Sequence, residues 1–107
     1  MTPRTLLLLL ALACAGCSDD SRTMHYRVAT RSMEPTLTVG DKVLVVAYSK
    51  EPKVGDVVLV DHPDYGTPIV HRIAIMDGPY IQTKGDANKL YDKAVLRSAV
   101  IGQAFKE

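Results

Sequence analysis

Three apolar runs constrain this chain more than anything else in it: KVLVVAYS from Lys42, VVLVD from Val57 and IVHRIAIM from Ile69. Their β-branched side chains are stiff and suit a pleated, half-buried surface better than a helix. Each run is too short for a stable helix, and Pro52, Gly55-Asp56 and the cluster HPDYGTP separate them with turn-forming residues. HYRVAT precedes them, DGPY reads as a hairpin turn into YIQTK, and AVLRSAVIGQAF supplies a last strand. No stretch carries a helical period. The reading is all-β: antiparallel sheets forming a compact sandwich or partial barrel. Within IVHRIAIM, alternation puts Ile69, His71, Ile73 and Ile75 on one face and Val70, Arg72, Ala74 and Met76 on the other.

The beginning of the chain is of another kind. After MTPRT comes LLLLLALA, too short to span a bilayer as a helix, and then CAGC. This reads as a lipoprotein-type signal peptide over residues 1–16, cleaved before Cys17, which is then acylated. An ordinary secretion signal, a short uncleaved anchor or anchoring through Cys14 are the alternatives. Residues 17–24 form a polar tether and residues 25–107 the domain. The expected location is a bacterial cell envelope, lipid-anchored to a membrane on the periplasmic or extracytoplasmic side. Both cysteines lie in this leader segment, which leaves the domain without a disulfide framework or a thiolate metal site. No metal or other cofactor is expected. A formal net charge of +1 with both signs interspersed gives no electrostatic case for a nucleic-acid partner.

Between the first two strand-like runs sits TRSMEPTL, residues 30–37. A serine beside a proline is common in surface turns. Here Pro35 fixes its own φ and restricts Glu34, so Ser32 would be held in one pose, presenting a hydroxyl rather than packing a core. His71 on an apolar face reads by itself as a core histidine, and Asp86 and Asp92 read as solvated loop carboxylates. Together they are the side-chain types of an activated serine, in which a base takes the hydroxyl proton and an acid orients the base.

SMEPTL, VGDKVLV, GDVVLVD, IVHRI and TKGDANKLYD, in this order from about Val28 to Gly102, resemble the signal peptidase I family (peptidase S26) of membrane-associated serine endopeptidases. The resemblance implies an all-β catalytic core with Ser32 as nucleophile. His71-Arg72 stands where the common bacterial branch has Lys-Arg, which places the chain with the branch similar to endoplasmic-reticulum and archaeal enzymes. His71 is then the general base. Asp92 is the chosen acid to orient it and Asp86 the partner of Arg72, two roles that could be exchanged. The Ser32 N–H and the Thr30 hydroxyl would form the oxyanion site. Arg31 stands where Gly is frequent. The substrate would be an extended peptide or preprotein, paired between residues 28–30 and the Ile69–His71 segment and cut after small residues.

Lys84 could serve instead as the base of a Ser-Lys dyad, although a solvated or structural lysine fits its place in TKGD better. Two alternatives stand beside the peptidase: a degenerate family member that binds exported peptides or a partner peptidase, and a self-cleaving repressor-type protease with a lysine base. The chain has neither the transmembrane helices nor the large extra β domain of bacterial members, which favours a dedicated substrate over general housekeeping.

Overall fold

A computed structural model describes residues 23–107. Residues 1–22, with Cys14, Cys17 and most of the expected tether, lie outside the described residues. Seven strands follow in chain order: β1 (Thr23–Arg27), β2 (Lys42–Val46), β3 (Val57–Val60), β4 (Ile69–Asp77), β5 (Tyr80–Lys84), β6 (Val95–Leu96) and β7 (Val100–Lys106). The helical content of the described residues is one 3₁₀ turn, Arg97–Ala99. All neighbours are antiparallel in a single sheet of order β1-β2-β7-β3-β4-β5-β6. The fold class is therefore the all-β one read from the sequence. Thr23 and Met24, assigned there to the tether, are already in β1.

The last strand lies in the middle of the sheet. β7 pairs with β2 on one side and β3 on the other. Buried Gly102 allows this: a Cβ there would lie 2.7 Å from the Val46 carbonyl oxygen and 2.9 Å from a Val45 methyl. AVLRSAVIGQAF is thus two strands, because the 3₁₀ turn breaks it after Leu96.

Strand alternation distributes the core over two clusters. Leu59 joins Val28, Met33, Leu37, Val43, Val45, Val70 and Ala104, while its neighbours Val58 and Val60 join Ile73, Ile81 and Val95. In β4 the predicted face is interrupted. The register shifts between Ile73 and Ile75, so Met76 packs on the second cluster with Ile69 and Ile73, while Ile75 is turned out. A bulge inserts one residue and exchanges the faces beyond it. His71 lies before the bulge and stays buried. The hairpin after it is the one DGPY predicts, with Asp77 opposite Tyr80 and Gly78 at φ 57°.

Candidate active site

The Ser32 turn owes its rigidity to its apolar residues as much as to its proline. Met33 and Leu37 are 1% and 3% exposed in the first core cluster, and the Leu37 N–H donates to the Met33 carbonyl at 2.9 Å. Both side chains enter the same core cluster from the turn that this bond closes. Burying each contributes about 1.5–3 kcal/mol. This corrects the expectation that the run does not pack a core: SMEPTL sinks Met33 and Leu37 and leaves Ser32 half-buried between them and exposed Arg31.

Four segments converge on Ser32. Its Oγ lies 3.1 Å from His71 Nε2 and 3.0 Å from Thr30 Oγ1. The Ser32 N–H makes a long contact, 3.5 Å, with the same threonine oxygen. His71 Nδ1 is 2.6 Å from Asp92 Oδ2, with both side chains almost completely buried. The Thr83 hydroxyl donates to Asp92 Oδ2 at 2.6 Å, and the Tyr65 hydroxyl donates to Oδ1 at 2.8 Å. The Asp92 N–H donates to the Thr83 carbonyl, and Gln82 Nε2 donates to the Asp92 carbonyl. Burial pushes the Asp92 carboxyl up, but the donors Thr83, His71 and Tyr65 together hold it below the ordinary carboxylate value. An ionised Asp92 accepts a hydrogen bond from Nδ1–H, and this leaves the Nε2 lone pair facing the Ser32 hydroxyl.

Asp86 is elsewhere. It takes a bidentate pair from Arg72, Nε to Oδ1 at 2.9 Å and an Nη to Oδ2 at 2.8 Å, and accepts the Thr36 hydroxyl at 2.6 Å. Arg72 also donates to the Gly55 carbonyl. The guanidinium, helped by Thr36, holds the Asp86 carboxyl below its usual range against the effect of burial. Lys84 Nζ is directed to the Gly85 carbonyl at 3.3 Å. The structure therefore brings Thr30, Ser32, His71 and Asp92 together and sets Arg72, Asp86 and Lys84 apart. Thr83 and Tyr65 were not singled out in the sequence. Thr83 had a signal, a polar residue two places from inward-facing Ile81. Tyr65 had none, since it lies in the turn cluster.

Gly85 joins the two halves of the site. A Cβ there would lie 2.6 Å from the Ser32 carbonyl oxygen and 2.9 Å from the Ser32 Cβ. That same carbonyl accepts the Ala87 N–H at 2.8 Å, so the loop leading to Asp92 rests directly on the serine backbone. Gly85→Ala is expected to displace Ser32 and lower turnover about 10- to 100-fold, with a stability loss of about 1–3 kcal/mol; steady-state kinetics and urea unfolding measure both. Asp86→Ala is expected to lower stability by about 1–3 kcal/mol, because Arg72 is a third exposed and water compensates part of the lost pair. Its wild-type stabilisation is present above the unfolded carboxylate value near pH 4 and is lost as pH falls through the lowered folded value. Urea midpoints for both proteins between pH 2 and 7 should therefore converge at the acid end.

The model of the signal peptidase family, peptidase S26, matches residues 2–103, nearly the whole chain. The chain belongs to this family. It is 38% identical, over 61% of its length, to the signal peptidase complex catalytic subunit SEC11 of Clavispora lusitaniae. It is 36% identical over 72% of its length to the SEC11 of Scheffersomyces stipitis, and 27% identical over 89% to that of Schizosaccharomyces pombe. It covers 42%, 49% and 65% of those proteins. These relatives correct the placement expected from the leader. They are catalytic subunits of eukaryotic signal peptidase complexes, not lipid-anchored proteins of a bacterial envelope. The family match includes LLLLLALA. No helix among the described residues is long and apolar enough to cross a membrane.

Proposed function

We propose that this signal peptidase family member is a serine endopeptidase that cuts preproteins after small residues with a Ser32–His71–Asp92 triad. The observation that carries the reading is the continuous chain of contacts from Ser32 Oγ to His71 Nε2 at 3.1 Å and from His71 Nδ1 to Asp92 Oδ2 at 2.6 Å. Ser32 attacks the scissile carbonyl while His71 takes its proton; the imidazolium is stabilised by Asp92. His71 then protonates the leaving amine. In the second half it deprotonates water, which attacks the Ser32 ester, and the proton returns to Ser32 as the acid is released.

The Thr30 hydroxyl lies 3.0 Å from Ser32 Oγ, and it and the Ser32 N–H are the donors for an oxyanion. Their mutual contact of 3.5 Å is weak enough for a developing oxyanion to replace it. An extended substrate has an edge available along β4, because β5 pairs with β4 only from Arg72 onward. Arg72 and Asp86 hold the loop against the strand and take no part in proton transfer. The lysine-base reading has less support, since Lys84 is directed to the Gly85 carbonyl.

The test is cleavage of preproteins with alanine before the cut by purified protein, alongside covalent labelling by a fluorophosphonate probe. Cleavage with labelling at Ser32 is the expected result. A folded protein that binds such substrates but neither cleaves nor labels would make it a peptide-binding member of the family.

A further inference from the structure

Asp92 has an acceptor oxygen that the triad does not use, and the structure fills it from an unexpected quarter. Oδ2 serves His71 and Thr83, while Oδ1 receives the hydroxyl of Tyr65, from the turn between β3 and β4. The Tyr65 ring also meets the His71 ring edge-on, with centroids 5.9 Å apart and planes at 81°. One side chain thus touches both the base and the acid.

The turn that carries Tyr65 is held by a second histidine. His62 is 1% exposed. Its Nδ1 accepts the Asp64 N–H at 3.1 Å, which leaves its Nε2–H to donate to the Lys93 carbonyl at 2.9 Å. Both ring nitrogens are therefore committed, and the second bond ties the turn to the residue following Asp92. The His62 ring lies edge-on to Tyr65 as well, at 5.4 Å. On the outer side, His62, Tyr65 and Asp92 line a groove of about 610 Å³, roomy enough for many waters. Asp92 reaches the groove itself, whereas His71 is not among its lining residues; the Tyr65 ring lies between the groove and His71.

We propose that Tyr65, clamped by His62, is a positioning residue for the triad: its hydroxyl fixes the Asp92 carboxylate and its ring screens the His71 side of the His71–Asp92 hydrogen bond from the groove. The inference rests on the triad reading of the same site. A carboxylate held at both oxygens cannot rotate, so the acceptor stays aligned with His71 Nδ1 through both proton transfers. Burial and the hydrogen bond to Asp92 push the Tyr65 phenol up to about 12, so it remains a donor throughout the neutral range. The Tyr65 hydroxyl bonds Asp92 rather than Ser32 or the substrate, and its effect should therefore fall on kcat and not on KM.

The experiment compares wild type, Tyr65→Phe, Tyr65→Leu and His71→Ala by kinetics, thermal unfolding and proton NMR of the downfield imidazole resonance, assigned by its loss in His71→Ala. Tyr65→Phe keeps the ring and removes the hydroxyl. It should lower kcat about 10- to 100-fold at unchanged KM, the effect of one hydrogen bond to a charged group, and shift the resonance. Tyr65→Leu should in addition accelerate exchange of that proton with water. Wild-type kcat and an unmoved resonance in Tyr65→Phe would overturn the proposal, as would absence of a sheltered resonance in the wild type. The resonance reports the hydrogen bond whether or not the protein cleaves anything. A wild type with the sheltered resonance but no turnover, together with the predicted changes of that resonance in the two Tyr65 variants, would count against the peptidase reading and uphold this one.

Discussion

His71→Ala is expected to lower kcat/KM for a preprotein by about 10⁴- to 10⁶-fold, Ser32→Ala by a similar factor, and the double variant by no more than either single one. The non-additivity is the informative part. On the proposed triad, Ser32 and His71 would act as one unit through their 3.1 Å contact, and once either is gone the other would have no proton to give or take. What would remain is binding and the proposed oxyanion donors, the Ser32 N–H and the Thr30 hydroxyl, neither of which is removed by either substitution. His71 is 2% exposed, so its removal leaves a cavity and an Asp92 without its main partner. His71→Gln, closer in volume, is the control for folding, and each variant should be checked by urea unfolding before its rate is interpreted. If His71→Ala keeps activity within tenfold of wild type, His71 is not the base and the Ser-Lys alternative with Lys84 returns.

The second large effect falls on the acid. Asp92→Asn should reduce kcat about 10²- to 10⁴-fold with the fold intact. Asn can place its one oxygen toward His71 and Thr83 only by turning its NH₂ toward Tyr65, whose hydroxyl must then rotate to accept. In the other orientation the NH₂ faces His71 Nδ1, forces the proton onto Nε2 and leaves the ring unable to deprotonate Ser32. Even the good orientation offers a neutral acceptor to a developing imidazolium. Stability supplies an independent check. The Asp92 carboxyl is held below its ordinary value, so its stabilisation is complete above about pH 4 and is lost as pH falls through the lowered folded value. Asp92→Asn should remove that share of the acid loss, flattening the dependence of the urea midpoint on pH below 4. A variant with wild-type kcat would show that His71 needs no carboxylate. In that case Asp86, 2.8 Å from Arg72 and apart from His71, gives no obvious replacement.

The strands were legible because local physics decides them. β-branched residues, two-residue periodicity and Gly or Pro punctuation act within a few residues, and β2 to β5 fall where those signals put them. Ser32 and His71, which the structure brings within 3.1 Å of each other, could be picked out as candidates for a different reason: SMEPTL and IVHRI are short motifs of contiguous residues. The leader was less tractable, because an apolar run followed by small residues and cysteine reads the same in several kinds of protein, and the relatives point away from a bacterial envelope.

Tertiary structure decided what depends on partners distant in sequence. The pattern of β7 says that it is a strand, but only the close approach at Gly102 reveals that it lies between β2 and β3. The β4 bulge is invisible in IVHRIAIM, since an inserted residue changes faces without changing composition. Asp86 and Asp92 are chemically identical in sequence; one lies beside Arg72 and the other beside His71 because a buried charge settles where donors can satisfy it. Tyr65 and His62 show the limit most clearly. Nothing within the turn HPDYGTP distinguishes a solvated tyrosine from one that holds a carboxylate 27 positions away, because the hydrogen bond that makes the difference exists only after β3, β4 and the loop following β5 have been folded together.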